Sequence, residues 1–295
     1  MRKKLQGIIP AMITPLRENG EIDRASVQKL VDRIIGAGAN GVMILGSVGE
    51  GMDMPRSAAY TMMEQAVDAM AGRGIVVAGT GALELTQSLE NIRQAKNAGV
   101  DAVLHVPPFY QSFPQEVLCS YFLTLAEKSP LPLMLYNIPE FVKVTMDVAT
   151  IGRLAEHENI IGVKDSSGNI AYFQNLICNV MCDKFSVFMG RASLALTAWL
   201  LGADGVMSPT ANLAPQLDCR LHRAVGQQDM ESAKQIIKQI QQLTHLFNTG
   251  PYPVSSNIKA ILSQMGICQN RTAGIVPALD EASAKRLYAQ FVEVF

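Results

Sequence analysis

Ile75-Val76-Val77-Ala78-Gly79-Thr80-Gly81, a helix-length segment over residues 85–98, and Ala102-Val103-Leu104-His105-Val106 follow one another without a long loop. Two short apolar runs, neither alternating with polar residues, predict strands buried on both faces. Strands of that kind joined by a helix pair in parallel, so the stretch is one turn of a strand–helix–strand repeat.

The repeat extends in both directions. Towards the start, residues 7–14 and Gly41-Val42-Met43-Ile44-Leu45-Gly46 read as strands, followed by helices over 25–37 and 57–71; Val27, Leu30, Val31, Ile34 and Ile35 share one face of the first helix. Towards the end, a helix over 116–127 precedes a fifth strand, Leu131-Pro132-Leu133-Met134-Leu135-Tyr136, and a helix over 147–156. The sixth strand runs Ile160-Ile161-Gly162-Val163-Lys164 and precedes a helix over 171–180. Phe185-Ser186-Val187-Phe188-Met189 and Gly205-Val206-Met207-Ser208 are the seventh and eighth, with a helix over 193–201 between them. Eight such units predict a closed α/β barrel of the TIM (β/α)8 type. An open doubly wound sheet would carry a glycine-rich phosphate fingerprint after its first strand, where this chain has Thr14-Pro15-Leu16, and Gly79-Thr80-Gly81 lacks the third glycine. From about residue 212 only helices follow, over 215–225, 230–247, 256–265 and 281–294, so the expectation is a barrel over 1–228 and a C-terminal helical extension over 229–295, turning at Gly250-Pro251-Tyr252-Pro253.

Charged residues make up 17% of the 295 and hydrophobic ones 48%, with a formal net charge of -1. That balance speaks against nucleic acid as a partner and against disorder, and leaves a small molecule as the expected ligand. Five cysteines in so long a chain suggest no disulfide framework and a reducing, cytoplasmic location. Cys178 and Cys182 lie four apart on an expected helix, but no nearby pair of ligands completes a metal site, and both are expected as buried thiols. His105, His157, His222 and His245 are dispersed and read as structural. The start Met1-Arg2-Lys3-Lys4-Leu5 is basic without the apolar core of a signal peptide, and no run reaches the roughly 18 apolar residues that cross a bilayer, so no membrane contact is expected.

In a parallel barrel the loops after the strands meet on one face, and residues distant in sequence converge there. Strand two ends in Gly46-Ser47-Val48-Gly49-Glu50, whose glycines permit tight turning and present backbone N–H groups to an anion. Tyr110 follows strand four, Tyr136 ends strand five, Lys164 ends strand six, and Gly190-Arg191 follow strand seven. A lysine buried at such a position is disfavoured as an ammonium and becomes a nucleophile towards carbonyl carbon; the alternative is a lysine reaching the rim or paired with Asp165. A phenol beside it suits proton transfer during imine formation and carbon–carbon cleavage. Arg191 is either a second anion site or a rim arginine in a surface ion pair. Glu50 reads as a structural hydrogen-bonding residue, and Ser166 either touches the substrate or serves the turn.

The set Gly46-Ser47-Val48-Gly49-Glu50, Tyr136-Asn137-Ile138-Pro139 and Gly162-Val163-Lys164, with Gly168 beyond it, resembles the dihydrodipicolinate synthase and N-acetylneuraminate lyase family of pyruvate-dependent class I aldolases. The resemblance covers nearly the whole chain and implies a homotetramer of TIM barrels acting on a 2-oxo acid and an aldehyde through a covalent lysine imine, with no other cofactor and no metal. It implies that Lys164 forms the imine, Tyr136 transfers protons, Ser47 links the relay, and Tyr110 joins it across a subunit interface. It implies too that the backbone amides of Ser47 and Val48 hold the 2-oxo acid carboxylate; Ser166, Gly190, Arg191 and Met207 are the further candidate substrate-binding positions of this chain. The chain departs from the family at Val48, where a second hydroxyl residue is usual, and the lost hydrogen bond is worth roughly 0.5–1.5 kcal/mol. Glu140-Phe141 stand where dihydrodipicolinate synthases place an arginine for a second carboxylate, and Arg191-Ala192-Ser193 where sialic acid lyases place an acidic pair. The expectation is therefore an aldolase for a 2-oxo acid with a 4-hydroxyl group, a 2-keto-3-deoxy sugar acid being one candidate. Dihydrodipicolinate synthase, a 2-oxo acid dehydratase and a non-catalytic 2-oxo acid binding protein on the same scaffold are the alternatives.

Overall fold

The computed structural model describes residues 4–295, so most of the basic start, residues 1–3, lies outside the described residues. Eight parallel strands form one sheet: β1 (Gly7–Ile8), β2 (Gly41–Ile44), β3 (Ile75–Gly79), β4 (Ala102–His105), β5 (Leu133–Asn137), β6 (Ile160–Asp165), β7 (Ser186–Met189) and β8 (Gly205–Val206). Each pairs with its successor from β2 to β8, and β1 pairs with β8. The ring closes where Met12 N donates to Met43 O (2.8 Å), Met43 N to Pro10 O (2.8 Å), and Ala11 bridges Met43. The result is a TIM barrel, as the alternation predicts.

The first strand is shorter than the expected 7–14. Pro10 has no N–H to give to a ladder, so after Ile8 the segment bonds alternately to β8 and β2, with Ile9 N and Ala11 N reaching Val206 O and Ser208 O. Around the barrel lie α1 (Arg24–Gly36), α2 (Arg56–Met70), α3 (Leu85–Asn97), α4 (Gln115–Lys128), α6 (Val148–Ala155), α7 (Ile170–Asn179), α8 (Ala195–Leu200) and α9 (Pro215–Gly226), while a four-residue helix, α5 (Pro139–Val142), follows β5. The later helices are α10 (Met230–Phe247), α11 (Val254–Gln264) and α12 (Glu281–Val294); α10 packs on α9 and α12, and α11 on α12. Asp229 starts α10 by accepting from Ser232 N at 3.0 Å, the N-cap arrangement expected of aspartate. No helix among the described residues is long and apolar enough to cross a membrane.

Two cysteines differ from expectation. Cys178 and Cys182 are exposed, whereas Cys119, Cys219 and Cys268 are buried. The inward face of α7 is fixed by Phe173 and Leu176, and two residues beyond Leu176 the helix has turned about 200°, which puts Cys178 on the outside.

His105 is a core residue. It sits between Thr80 Oγ1 (3.1 Å from Nδ1) and Tyr121 Oη (2.9 Å from Nε2), edge-on to Phe122. Burial pushes its pKa down to about 3. A base whose folded pKa lies below its unfolded value near 6.5 loses stability as pH falls through that window. A His105→Gln variant, which keeps a donor and an acceptor, should therefore gain about 2 kcal/mol relative to the unsubstituted chain between pH 7 and pH 5. Paired urea titrations at the two pH values measure that difference, and a pH-independent difference would show that His105 is not held neutral.

Candidate active site

Lys164 and Tyr136 are partners in register on neighbouring strands β6 and β5, so their side chains leave the sheet on the same side at the same height. Lys164 Nζ lies 3.3 Å from Tyr136 Oη and 4.3 Å from the centre of its ring. Both are buried, Lys164 at 2% exposure. The hydroxyls of Ser47 and Ser166 also hydrogen-bond the phenol. Burial alone would push the Tyr136 pKa up, but the Lys164 charge and these hydrogen bonds outweigh it and hold the phenol below its ordinary value.

The room around the lysine depends on glycine. A Cβ on Gly190, just past β7, would sit 2.0 Å from Ser166 Oγ and 3.0 Å from Lys164 Cε, so any larger residue there would have to displace the Ser166 hydroxyl and would press on the lysine arm. The loop after β2 is wound as tightly: Leu45 (φ 56°) and Glu50 (φ 57°) bracket it in the left-handed region, and a Cβ on Gly51 would come within 2.1 Å of Leu45 O. Within the loop, Glu50 N donates to Ser47 O (3.3 Å) and Gly51 N to Gly46 O (3.2 Å). Thr14 Oγ1 holds the loop from below through Gly49 O at 2.7 Å.

These residues line a cavity of ≈ 630 Å³, in which Ser47, Val48, Tyr136, Lys164, Ser166, Gly190, Arg191 and Met207 all take part. Seven of the sequence-derived positions thus meet Lys164 in one cavity. Tyr110 does not: it follows β4 with φ 80° and is 90% exposed, apart from the cavity of its own chain. Arg191 stands at the rim in the ion-pair arrangement weighed above. Its Nε donates to Ser166 O at 2.8 Å and its Nη2 pairs with Glu140.

Three features escape sequence reasoning. Glu140 reaches the rim on α5, too short to show a helical period, although Pro at its first position is a start signal. Asn137 and Asp165, the next register pair beyond Tyr136 and Lys164, are buried and joined at 2.8 Å; Asn137 Oδ1 also accepts from Met146 N, and Asp165 from Ser167. Burial raises the Asp165 carboxyl despite the hydrogen bonds from Asn137 and Ser167 and the Arg191 charge. Finally, the segment from Phe247 to Ser255, between α10 and α11, supplies one wall.

A buried amine beside an acidified phenol, in a cavity shared with the tightly wound loop after β2, brings together the groups that imine chemistry requires.

The model of the dihydrodipicolinate synthetase family matches residues 4–286. The chain is 35% identical over 268 residues to a 4-hydroxy-tetrahydrodipicolinate synthase of Nitrosospira multiformis, covering 89% of this chain and 87% of the other, and 35% identical over 266 residues (90% and 88%) to an uncharacterised DapA-like lyase of Rhizobium meliloti. Among solved structures it superposes on YagE from E. coli, a prophage protein of the dihydrodipicolinic acid synthase family in complex with pyruvate, with a TM-score of 0.93 at 28% identity over 98% of both chains. It superposes also on dihydrodipicolinate synthase from Bacteroides thetaiotaomicron, with a TM-score of 0.94 at 29% identity over 99% of this chain and 100% of the other.

Proposed function

Since this chain belongs to the dihydrodipicolinate synthetase family of pyruvate-dependent lyases, we propose that Lys164 is its imine-forming residue and that it cleaves or builds 2-oxo acids bearing a 4-hydroxyl group. The observation that carries the proposal is the buried contact of Lys164 Nζ with Tyr136 Oη, at 3.3 Å.

The neutral amine attacks the ketone carbon, Tyr136 delivers the proton with which water leaves, and a protonated imine results. In the cleavage direction Tyr136 takes the proton of the 4-hydroxyl, the bond between carbons 3 and 4 breaks, its electron pair enters the imine to give an enamine, and an aldehyde departs. Protonation of the enamine and addition of water then release pyruvate and the free lysine. The backbone N–H groups of Ser47 and Val48 hold the substrate carboxylate, Ser47 passes protons to and from Tyr136, and Gly190 and Met207 shape the floor. The exposed Tyr110 completes the relay of a neighbouring copy, which makes an oligomer the working form. No other cofactor enters this scheme.

For the second substrate we favour an aldehyde whose product is a 2-keto-3-deoxy sugar acid. Phe141 stands where an arginine would grip the carboxylate of the substrate used in dihydrodipicolinate synthesis, and it is exposed at the cavity. The names of the relatives favour 4-hydroxy-tetrahydrodipicolinate synthase as the second reading.

Borohydride reduction after incubation with pyruvate tests the imine. One reduced pyruvyl group is expected on the peptide that contains Lys164, and incubation with 2-keto-3-deoxygluconate should release pyruvate. An adduct on another lysine, or none beside a family member that is labelled under the same conditions, would overturn the assignment.

A further inference from the structure

We propose that Glu140 and Arg191 form a charge filter at the mouth of the cavity that admits aldehydes with uncharged, hydroxyl-bearing tails and turns away those carrying a carboxylate or phosphate. This rests on the imine at Lys164, which fixes one end of the substrate and sends the other outward.

The direction of that outward path follows from exposure. Lys164 is at the buried floor, Ser166 and Gly190 stand beside it, and the side chains of Arg191 and Glu140 are 38% and 56% exposed at the rim. The substrate carboxylate occupies the loop after β2, so the aldehyde half must extend towards this rim.

Charge decides what it meets there. Among the described residues, five ionisable side chains other than tyrosine line the cavity: Glu50, Asp53, Glu140, Lys164 and Arg191. Glu50 is tied to Lys259 beneath the loop at 2.6 Å. Lys164 is consumed by the imine, whose positive charge faces the substrate carboxylate. What remains at the mouth, among the described residues, is one cation, Arg191, against Glu140 and Asp53. Arg191 is not free, since its Nε is bonded to Ser166 O and its Nη2 to the Glu140 carboxylate. A second anion on the substrate would have to displace Glu140 from the guanidinium and then sit beside it, with like charges a few ångströms apart at the rim.

Hydroxyl groups meet the opposite situation. The carboxylate accepts from them while the guanidinium's other N–H groups donate to them, and neither ion has to give up its partner. Phe141, next to Glu140 on α5, offers an apolar face to the carbons of the same tail. The helix that carries both is held in place: Lys143, at φ 56°, closes it with its backbone N–H on Pro139 O, and Lys143 Nζ bonds Glu140 O at 2.7 Å. The filter is thus mounted three residues beyond Asn137 and four beyond Tyr136, on the strand end that places the phenol.

The test uses the full-length enzyme and three aldehydes as probes, each condensed with pyruvate: glyceraldehyde, glyceraldehyde 3-phosphate and succinate semialdehyde. The unsubstituted enzyme should prefer glyceraldehyde over either anion by at least about tenfold in kcat/KM. Glu140→Gln, which keeps the shape and removes the charge, should raise the anionic probes by about tenfold relative to glyceraldehyde, mainly through KM, because Arg191 is released to bind them. The selectivity should also weaken at about 0.5 M NaCl, where exposed charges are screened beyond a few ångströms; a purely steric filter would not respond to salt. A preference for an anionic aldehyde, a ratio unchanged in Glu140→Gln, or turnover of none of the three by an enzyme that still traps pyruvate on Lys164 overturns the filter alone. Loss of the trapped adduct in the unsubstituted enzyme would instead overturn the imine on which it rests.

Discussion

Lys164→Ala should abolish the borohydride-trapped pyruvate adduct and lower kcat/KM by on the order of 10⁴-fold or more, while the protein stays folded. The rate loss is that of a nucleophile with no substitute, because among the described residues no second lysine lines the cavity. The fold should tolerate the change because alanine removes a cation from a buried site and leaves the contacts of β6 to β5 and β7 in backbone registers. Lys164→Arg is the control for charge: it restores a cation beside Tyr136 but cannot form an imine. The two variants should separate further in the titration of Tyr136. Burial pushes this phenol up and the Lys164 ammonium is foremost among the groups that pull it down, so the pKa of Tyr136 should rise in Lys164→Ala and stay low in Lys164→Arg. Ultraviolet difference titration of tyrosinate measures this. Residual aldolase activity above one per cent of the original in Lys164→Ala, on the order of the contribution of a general acid–base group alone, would mean that the lysine is not the nucleophile.

The order of strands and helices is legible in the sequence because apolar runs of four to six residues and helix-length amphipathic stretches alternate without interruption, and a closed parallel barrel ringed by helices buries both faces of eight such strands. The bounds of β2 to β7 follow the apolar runs closely. At β1 the run of apolar residues suggests a longer strand than forms, since hydropathy does not register that Pro10 lacks a donor. The positions of Lys164, Tyr136 and the glycine-rich loop are legible for the same topological reason: all end strands on one face. Pairings between residues far apart in the chain are not. Arg191 and Glu140 are 51 positions apart, and the reading of each alone leaves open what it binds. Asn137 and Asp165 look like ordinary turn residues until the register of β5 on β6 sets them opposite each other. The exposure of Cys178 is a matter of helical phase, which two small apolar-looking thiols do not fix; Phe173 and Leu176 do. Glu50 is the clearest case. Its hydrogen-bonding role can be read from its place after the loop, but its partner, Lys259, is 209 positions away in a helix that the barrel alone does not require.

Lys259→Met should destabilise the protein by about 3–5 kcal/mol, the cost of leaving a buried charge without its partner. The side chains of Lys259 and Glu50 are 0% and 1% exposed, and their contact is 2.6 Å. Glu50 Oε2 also accepts from Ala273 N at 3.0 Å, and Lys259 Nζ donates to Arg271 O at 2.8 Å, so one ion pair draws together the loop after β2, α11 and the segment leading to α12. Burial is the main influence on the Lys259 ammonium and lowers its pKa, and the Glu50 carboxylate opposes that shift. Taking the lysine away strands Glu50 in the same low-dielectric space. A double variant, Glu50→Gln with Lys259→Met, should recover a large part of the loss, because two neutral side chains of similar volume carry no such penalty. The functional consequence separates the pair from an ordinary core contact. Glu50 closes the loop whose Ser47 and Val48 amides are assigned to the substrate carboxylate, so the single variant should raise KM for pyruvate well before it affects the rate of steps at Lys164 under saturating substrate. Thermal unfolding at matched protein concentration gives the stability, and pyruvate saturation curves at a temperature where every variant is folded give KM. A single variant as stable as the unsubstituted chain would mean that the pair contributes nothing to folding. A double variant that stays as unstable as the single one would place the penalty in lost packing of the lysine stem rather than in the stranded carboxylate.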